Sequence, residues 1–180
     1  MHFLAFRCFR SKNHDFTTKN YGARGLMKRI PLKSQSIIPR IDGIMRDLVK
    51  LREIASLPQG EFSDTKKDYF DVAKLRLREA LEGVFNIGAH ILSRIEGGRT
   101  TAYKEIAKKL GAFGIIEKDF ADGALTDMAG YRNRLTHFYA EVPAAEIYQV
   151  LHKHLGDFDV FLSAIKQVLE HPEQFGLSVE

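Results

Sequence analysis

Cysteine is almost missing from this chain. Cys8 is the single one in 180 residues, which excludes an internal disulfide framework and a cysteine-based zinc site and fits a reducing cytoplasm. No apolar run approaches the roughly 18 residues of a membrane span, so no transmembrane helix is expected. Strand-like alternation of useful length is lacking, and so is any internal repeat. Metal-site spacings are lacking too. There is no Glu-x-x-His and no His-Glu-x-x-His, and His152 and His154, two positions apart, fall on different helix faces. Gly97-Gly98 reads as a helix stop and not as a phosphate loop. Lys66-Lys67 and Lys108-Lys109 read as solvated helix faces. No metal and no cofactor is expected.

The sequence pI of 9.1 invites a nucleic-acid reading, but the charge is unevenly placed. Residues 1–26 hold five basic side chains and one acid, Asp15, leaving 22 of the 27 basic and 22 of the 23 acidic residues to the rest. The remainder is neutral overall. Global charge therefore gives little support for a phosphate-tracking surface, and any nucleic-acid function must rest on a local site.

Residues 1–36 are expected as an N-terminal extension. Its first 26 residues lack helical periodicity, and Met27-Lys28-Arg29-Ile30 resembles a natural start, so an over-extended gene start or a disordered tail is expected there. From about residue 37 the pattern is helical. Ile41, Ile44, Met45, Leu48, Leu51 and Ala55 share one face, Pro39 suits a first turn, and Pro58-Gln59-Gly60 stops the helix. Ser63 and Asp64 offer caps for a second helix of about 30 residues, ended by Gly97-Gly98. Thr100 or Thr101 can cap a short third helix with Gly111 just past its end. A fourth helix is expected from about Glu117 to Thr136, and a fifth from Pro143 to about Glu170. The fifth is apolar around much of its circumference, so it should be central or shared with a partner chain. The fold class is all-α: an antiparallel bundle of about five helices over 37–171, with 172–180 as a C-terminal tail.

Chemistry concentrates in Tyr131-Arg132-Asn133-Arg134-Leu135-Thr136-His137-Phe138-Tyr139. Two guanidiniums, an amide, an imidazole and a phenol within nine residues suit a phosphodiester. Arginine binds phosphate bidentately and stays charged, and histidine exchanges protons near neutrality. In a straight helix Arg132 and His137 would sit about 140° apart around the axis. Either the helix ends near Thr136 so that His137 turns back, or two copies of the motif face each other across a dimer. Arg134 and His137, three apart, can share a face; Asn133 and Arg134 can also satisfy terminal carbonyls. The competing structural reading of Arg132 and His137 is a pair of cations opposing the dipole of a helix C-terminus. For Tyr139 the rival is an aromatic packed at a loop, and His90 reads as a structural residue.

Arg132, four intervening residues, His137, one residue and Tyr139 match the RX4HXY pattern of the HEPN superfamily. The likeness is to bacterial HEPN toxins of the HepT/MntA type (DUF86). It extends through the lead-in Asp127–Leu135, downstream through Glu141-Val142, and upstream through Ala80–Ile91, covering roughly residues 37–170. The position of Phe138 is more often glycine in that family.

The resemblance implies a helical homodimer with its active-site cleft at the dimer interface. It implies a metal-independent endoribonuclease, the toxin of a type VII toxin–antitoxin system. Arg132 and His137 would be catalytic, Asn133 and Arg134 supporting. The partner would be a minimal nucleotidyltransferase antitoxin of the MntA type that AMPylates Tyr139, placing negative charge and bulk beside His137. The alternative within the same resemblance is a noncatalytic module that presents nucleotide or substrate to a nucleotidyltransferase. A third reading is a bundle that only assembles with other proteins.

Overall fold

The computed structural model of the protein describes residues 31–136 and 142–180. The expected features of residues 1–26, and His137 and Tyr139 of the motif, lie outside the described residues. Within them the fold is all-helical. Eight α-helices follow in order: α1 (Ser34–Ala55), α2 (Gln59–Phe62), α3 (Tyr69–Leu92), α4 (Tyr103–Ala112), α5 (Lys118–Asp122), α6 (Ala124–Thr136), α7 (Ala144–Lys153) and α8 (Leu155–Glu170), with a 3-10 turn over Pro172–Phe175. None of them is long and apolar enough to cross a membrane.

The spine is the pair α1 and α3, which lie along one another. Ile37, Ile44, Leu48, Leu51 and Ile54 of α1 meet Ala73, Leu77, Ala80, Val84 and Ile87 of α3 in one buried cluster. Close approach depends on Gly83: a Cβ there would stand 2.8 Å from Ile44 Cγ1. Met45 does not join this face. It is exposed, together with Ile38 and Val49, so the outer stripe of α1 is apolar while its inner face is filled. α8 buries Phe158, Phe161, Ile165 and Val168 but leaves Val160 exposed.

Several helix boundaries differ from those the spacing predicts, each for a local reason. α1 starts at Ser34, which puts Pro39 in its second turn. Pro58-Gln59-Gly60 ends nothing further; it opens the short helix α2. α3 begins at Tyr69, not near residue 65, because Asp64 is spent on a turn: its Oδ1 accepts from Lys66 N at 3.0 Å and its carbonyl from Lys67 N at 3.0 Å. α3 then ends at Leu92 and spans about 36 Å at 1.5 Å per residue. Gly98 follows, where a Cβ would lie 2.3 Å from Leu92 O. Gly111 sits inside α4, and Gly114, with φ of 69°, takes the left-handed turn after it. The expected fourth helix breaks at Gly123 into α5 and α6, and the fifth breaks at His154 into α7 and α8. The two halves of the fifth then face different partners: α7 packs on α1, α2 and α3, and α8 on α1 and the 3-10 turn.

Residues 178–180 run beside residues 32–34. Leu32 N donates to Ser178 O at 2.7 Å, Glu180 N to Leu32 O at 2.9 Å, and Ser34 N to Glu180 O at 2.9 Å. The strap seats Leu177 in the same buried core as Leu32. Leu177→Ala should cost ~2 kcal/mol, the low end for a buried leucine. Urea denaturation followed by circular dichroism measures it, and a midpoint unchanged from wild type would show that the strap adds nothing.

Candidate active site

Arg132 sits on α6 with its side chain turned into the groove against α3 and α4. Its Nε donates to Glu82 Oε2 at 2.7 Å and its Nη2 approaches the same oxygen at 2.6 Å. The Tyr103 ring lies under the guanidinium, 4.2 Å from Cζ to the centroid. Tyr103 Oη donates to Glu82 Oε2 at 3.3 Å, closing a triangle. Burial foremost, and then the Glu82 charge, pushes the Tyr103 phenol upward in pKa, so it stays a protonated donor. Phe85 holds the Tyr103 ring edge-on at 5.2 Å. The Arg132 side chain is 18% exposed and that of Glu82 is 37%. The pair is desolvated enough to be fixed and open enough to meet a ligand.

That opening is a cleft of about 580 Å³ between α1, α3 and the end of α6. Arg40 and Arg46 line it from α1, Arg76 and Arg78 from α3, and Arg132 from α6; Asp47, Glu79 and Glu82 are the acids. Five guanidiniums face three carboxylates, so the wall is net positive although residues 27–180 together are neutral. Arg76 is bound to Asp47 at 3.0 Å and lies near Glu79 at 3.6 Å. Burial is the main influence on Asp47 and raises its carboxyl pKa, and Arg76 offsets that in part. Asn86 and Gly83 add an amide and a bare backbone stretch to the floor. Ile38, Met45 and Val49 (49, 54 and 58% exposed) form an apolar stripe along α1, none of them lining this cleft.

The residues picked out by spacing are divided. Arg132 reaches the cleft. Asn133 is half-buried and makes no side-chain hydrogen bond to a described residue. Arg134 leaves the other side of α6, forks onto both carboxylate oxygens of Glu146 at 2.6 and 3.0 Å and lies over the Tyr131 ring. It ties α6 to α7. Burial drives the Tyr131 phenol upward, and its hydroxyl is enclosed without a partner among the described residues. His90, read as structural, is half-buried with Nε2 unpartnered among the described residues, and burial, then nearby Arg94, lowers its pKa. No cluster of three metal-ligating side chains occurs among the described residues. Spacing alone does not find Glu82, Tyr103, Arg40, Arg46 or Arg78. Glu82 falls within the stretch Ala80–Ile91 that carries the resemblance, which is the one signal pointing to it.

Residues 44–165 match the family described as ribonuclease HepT-like. The chain is 27% identical over 132 residues to the mRNA nuclease HepT of Shewanella oneidensis, covering 72% of this chain and 96% of that protein. It is 22% identical over 130 residues to the tRNA nuclease HepT of Aphanizomenon flos-aquae, covering 72% and 87%. Its fold is similar to that of the tri-AMPylated Shewanella oneidensis HEPN toxin solved in complex with MNT antitoxin. There the TM-score is 0.63 at 27% identity, over 74% of this chain and 98% of that one.

The Asp47–Arg76 pair gives a pH signature. Arg76→Ala leaves a buried carboxylate without its donor, at a cost of roughly 1–3 kcal/mol at neutral pH. The substitution raises the folded-state pKa of Asp47 further above the unfolded value. The charged form then burdens the folded state at neutral pH, and the burden lifts as pH falls through the folded pKa into the ordinary carboxyl range. Melting curves from pH 7 to 4 should therefore show the gap to wild type shrinking toward acid. A gap that is constant or grows toward acid contradicts this assignment.

Proposed function

The chain belongs to the ribonuclease HepT-like family, and on that premise we propose that it is a metal-independent endoribonuclease. It would serve as the toxin of a type VII pair restrained by a nucleotidyltransferase antitoxin. The observation that carries the reading is Arg132: the first residue of an RX4HXY motif, held by Glu82 and Tyr103 at the edge of an arginine-lined cleft. RNA is a polyanion, and a cleft with an excess of guanidiniums accepts its backbone where a neutral surface would not.

In this reading the RNA 2′-hydroxyl attacks the adjacent phosphorus. Arg132 stabilises the charge that develops on the phosphorane oxygens. His137 gives a proton to the departing 5′-oxygen, as an imidazole with a pKa near neutrality can. Asn133 orients the site or the backbone, while Arg134 supports the motif through its fork on Glu146. A second copy of this chain would complete a homodimer with the active-site cleft at its interface. The antitoxin would AMPylate Tyr139, two positions from His137, adding a phosphate that repels the substrate phosphate. A toxin acting on RNA in this way would work in the cytoplasm.

Purified protein should cut single-stranded RNA in EDTA and leave 2′,3′-cyclic phosphate ends. Arg132→Ala and His137→Ala should each slow cleavage by about 10²-fold or more, the scale of losing one oxyanion donor or one proton-transfer group. Full activity in both variants would remove the mechanism. Incubation with the antitoxin and ATP should add adenylyl groups, seen by intact-mass spectrometry, and silence the enzyme. Tyr139→Phe should take up none. Unchanged adenylylation of that variant would place the modification elsewhere.

A further inference from the structure

We propose that Glu82 is the general base of the RNA cleavage, taking the proton of the attacking 2′-hydroxyl. This rests on the ribonuclease reading above and adds to it a catalytic group outside the RX4HXY motif.

The argument begins with how Glu82 spends its two oxygens. All three of its described contacts fall on Oε2: Arg132 Nε at 2.7 Å, Arg132 Nη2 at 2.6 Å, and Tyr103 Oη at 3.3 Å. No described residue contacts Oε1. A carboxylate used only to anchor an arginine commonly meets it fork to fork, one oxygen on each nitrogen; Arg134 and Glu146 do so in this same protein. Glu82 instead concentrates its anchoring on one oxygen, and the residue lines the cleft.

The second element is what remains open on Arg132. Nε and the near side of Nη2 are taken, and Nη1 has no described partner. A phosphate held on the Nη1–Nη2 end of the guanidinium lies next to Glu82. In RNA the 2′-hydroxyl is separated from the scissile phosphorus only by the C2′–C3′–O3′ link. One ion pair therefore presents a base and an oxyanion donor side by side, matching a nucleophile and a phosphorus that are neighbours in the substrate. Proximity of this kind is a large share of the catalysis available to a metal-free site.

The titratable and charged neighbours of Glu82 come from four helices. α6 contributes Arg132, α4 the protonated Tyr103, and α1 contributes Arg40, Arg46 and Asp47. On its own helix Glu82 has Arg78 and Glu79 one turn before it. Guanidiniums outnumber carboxylates around it.

The step balances as follows. The 2′-O–H proton passes to Glu82 Oε1 as the O2′–P bond forms. The P–O5′ bond breaks and O5′ receives a proton from His137. The products are a 2′,3′-cyclic phosphate and a 5′-hydroxyl, with Glu82 protonated and His137 neutral until solvent restores both.

The full-length protein, a fluorescently labelled single-stranded RNA and a buffer series from acid to alkaline pH test this. Glu82→Gln keeps the shape and an acceptor oxygen for Arg132 but cannot take the proton. It should lower kcat by roughly 10²- to 10⁴-fold, leave KM nearly unchanged, and abolish the acid limb of the pH–rate profile. Glu82→Asp should retain that limb at a reduced rate. Added formate should partly restore Glu82→Ala, since a small carboxylate can fill the vacated place. Should Glu82→Gln melt far below wild type, the Glu82→Asp profile and the formate response decide. An acid limb that survives in Glu82→Gln, or no formate response, reduces Glu82 to a positioning residue for Arg132 and overturns the proposal. Absence of any cleavage by wild type overturns the ribonuclease reading itself, a separate outcome.

Discussion

The Arg132–Glu82 ion pair joins two helices that are 50 positions apart in sequence, with Tyr103 of a third helix beneath it. A half-buried ion pair of this type contributes little net stability, because the desolvation of both charges offsets much of their attraction and two long side chains must be ordered. Its importance here lies in direction. A free arginine side chain samples many rotamers, and each stray rotamer removes the guanidinium from the place where charge will develop. Fixing it on a carboxylate and an aromatic face settles that cost during folding, before any RNA arrives. The rest of the bundle makes the arrangement possible. α3 must run straight past the end of α6, α4 must fold back to slide Tyr103 under the pair, and α1 must come close enough to form the opposite wall.

That last demand explains the packing of the spine. Gly83 stands one residue from Glu82 and is where Ile44 presses against α3. The same spot that carries the carboxylate on one side therefore carries a close helix–helix approach on the other. A larger residue would lever α1 away and widen the cleft from its floor. Stability and site geometry share a residue, which leaves little freedom for substitution there.

Much of the architecture can be read from apolar spacing, and the exceptions are instructive. The inward positions of α1 and α3 follow a 3.6-residue period and are found buried, with Met45 the outlier because apolar residues circle more than half of α1. Breaks at Gly123 and His154 escape such reading, since hydrophobic periodicity continues across both; what bends the chain there is the change of neighbours from one half-helix to the next. Asp64 looks like a helix cap in sequence and is one chemically, but it caps a turn. At the site, Arg132 is legible because its motif is local. Glu82 and Tyr103 are not, lying 50 and 29 positions away. The arginine wall is hidden by averaging: 22 bases cancel 22 acids over residues 27–180, while helical periodicity sorts five arginines onto one cleft. His137 and Tyr139 lie outside the described residues and are read from the motif.

The strap that pairs Leu32 with Ser178 and Glu180 also bears on the order of folding. Ser34 and Glu180 are 146 positions apart, so the contact closes a loop of almost the whole described chain. Closure entropy grows only slowly with loop length, but it must be met before the contact returns anything. The helical hairpins, built from near neighbours, can form early and bring the two ends together. The strap then latches a bundle that already exists. Its loss would chiefly speed unfolding and hardly slow folding, so this short segment governs how long the native state lasts more than how quickly it is reached.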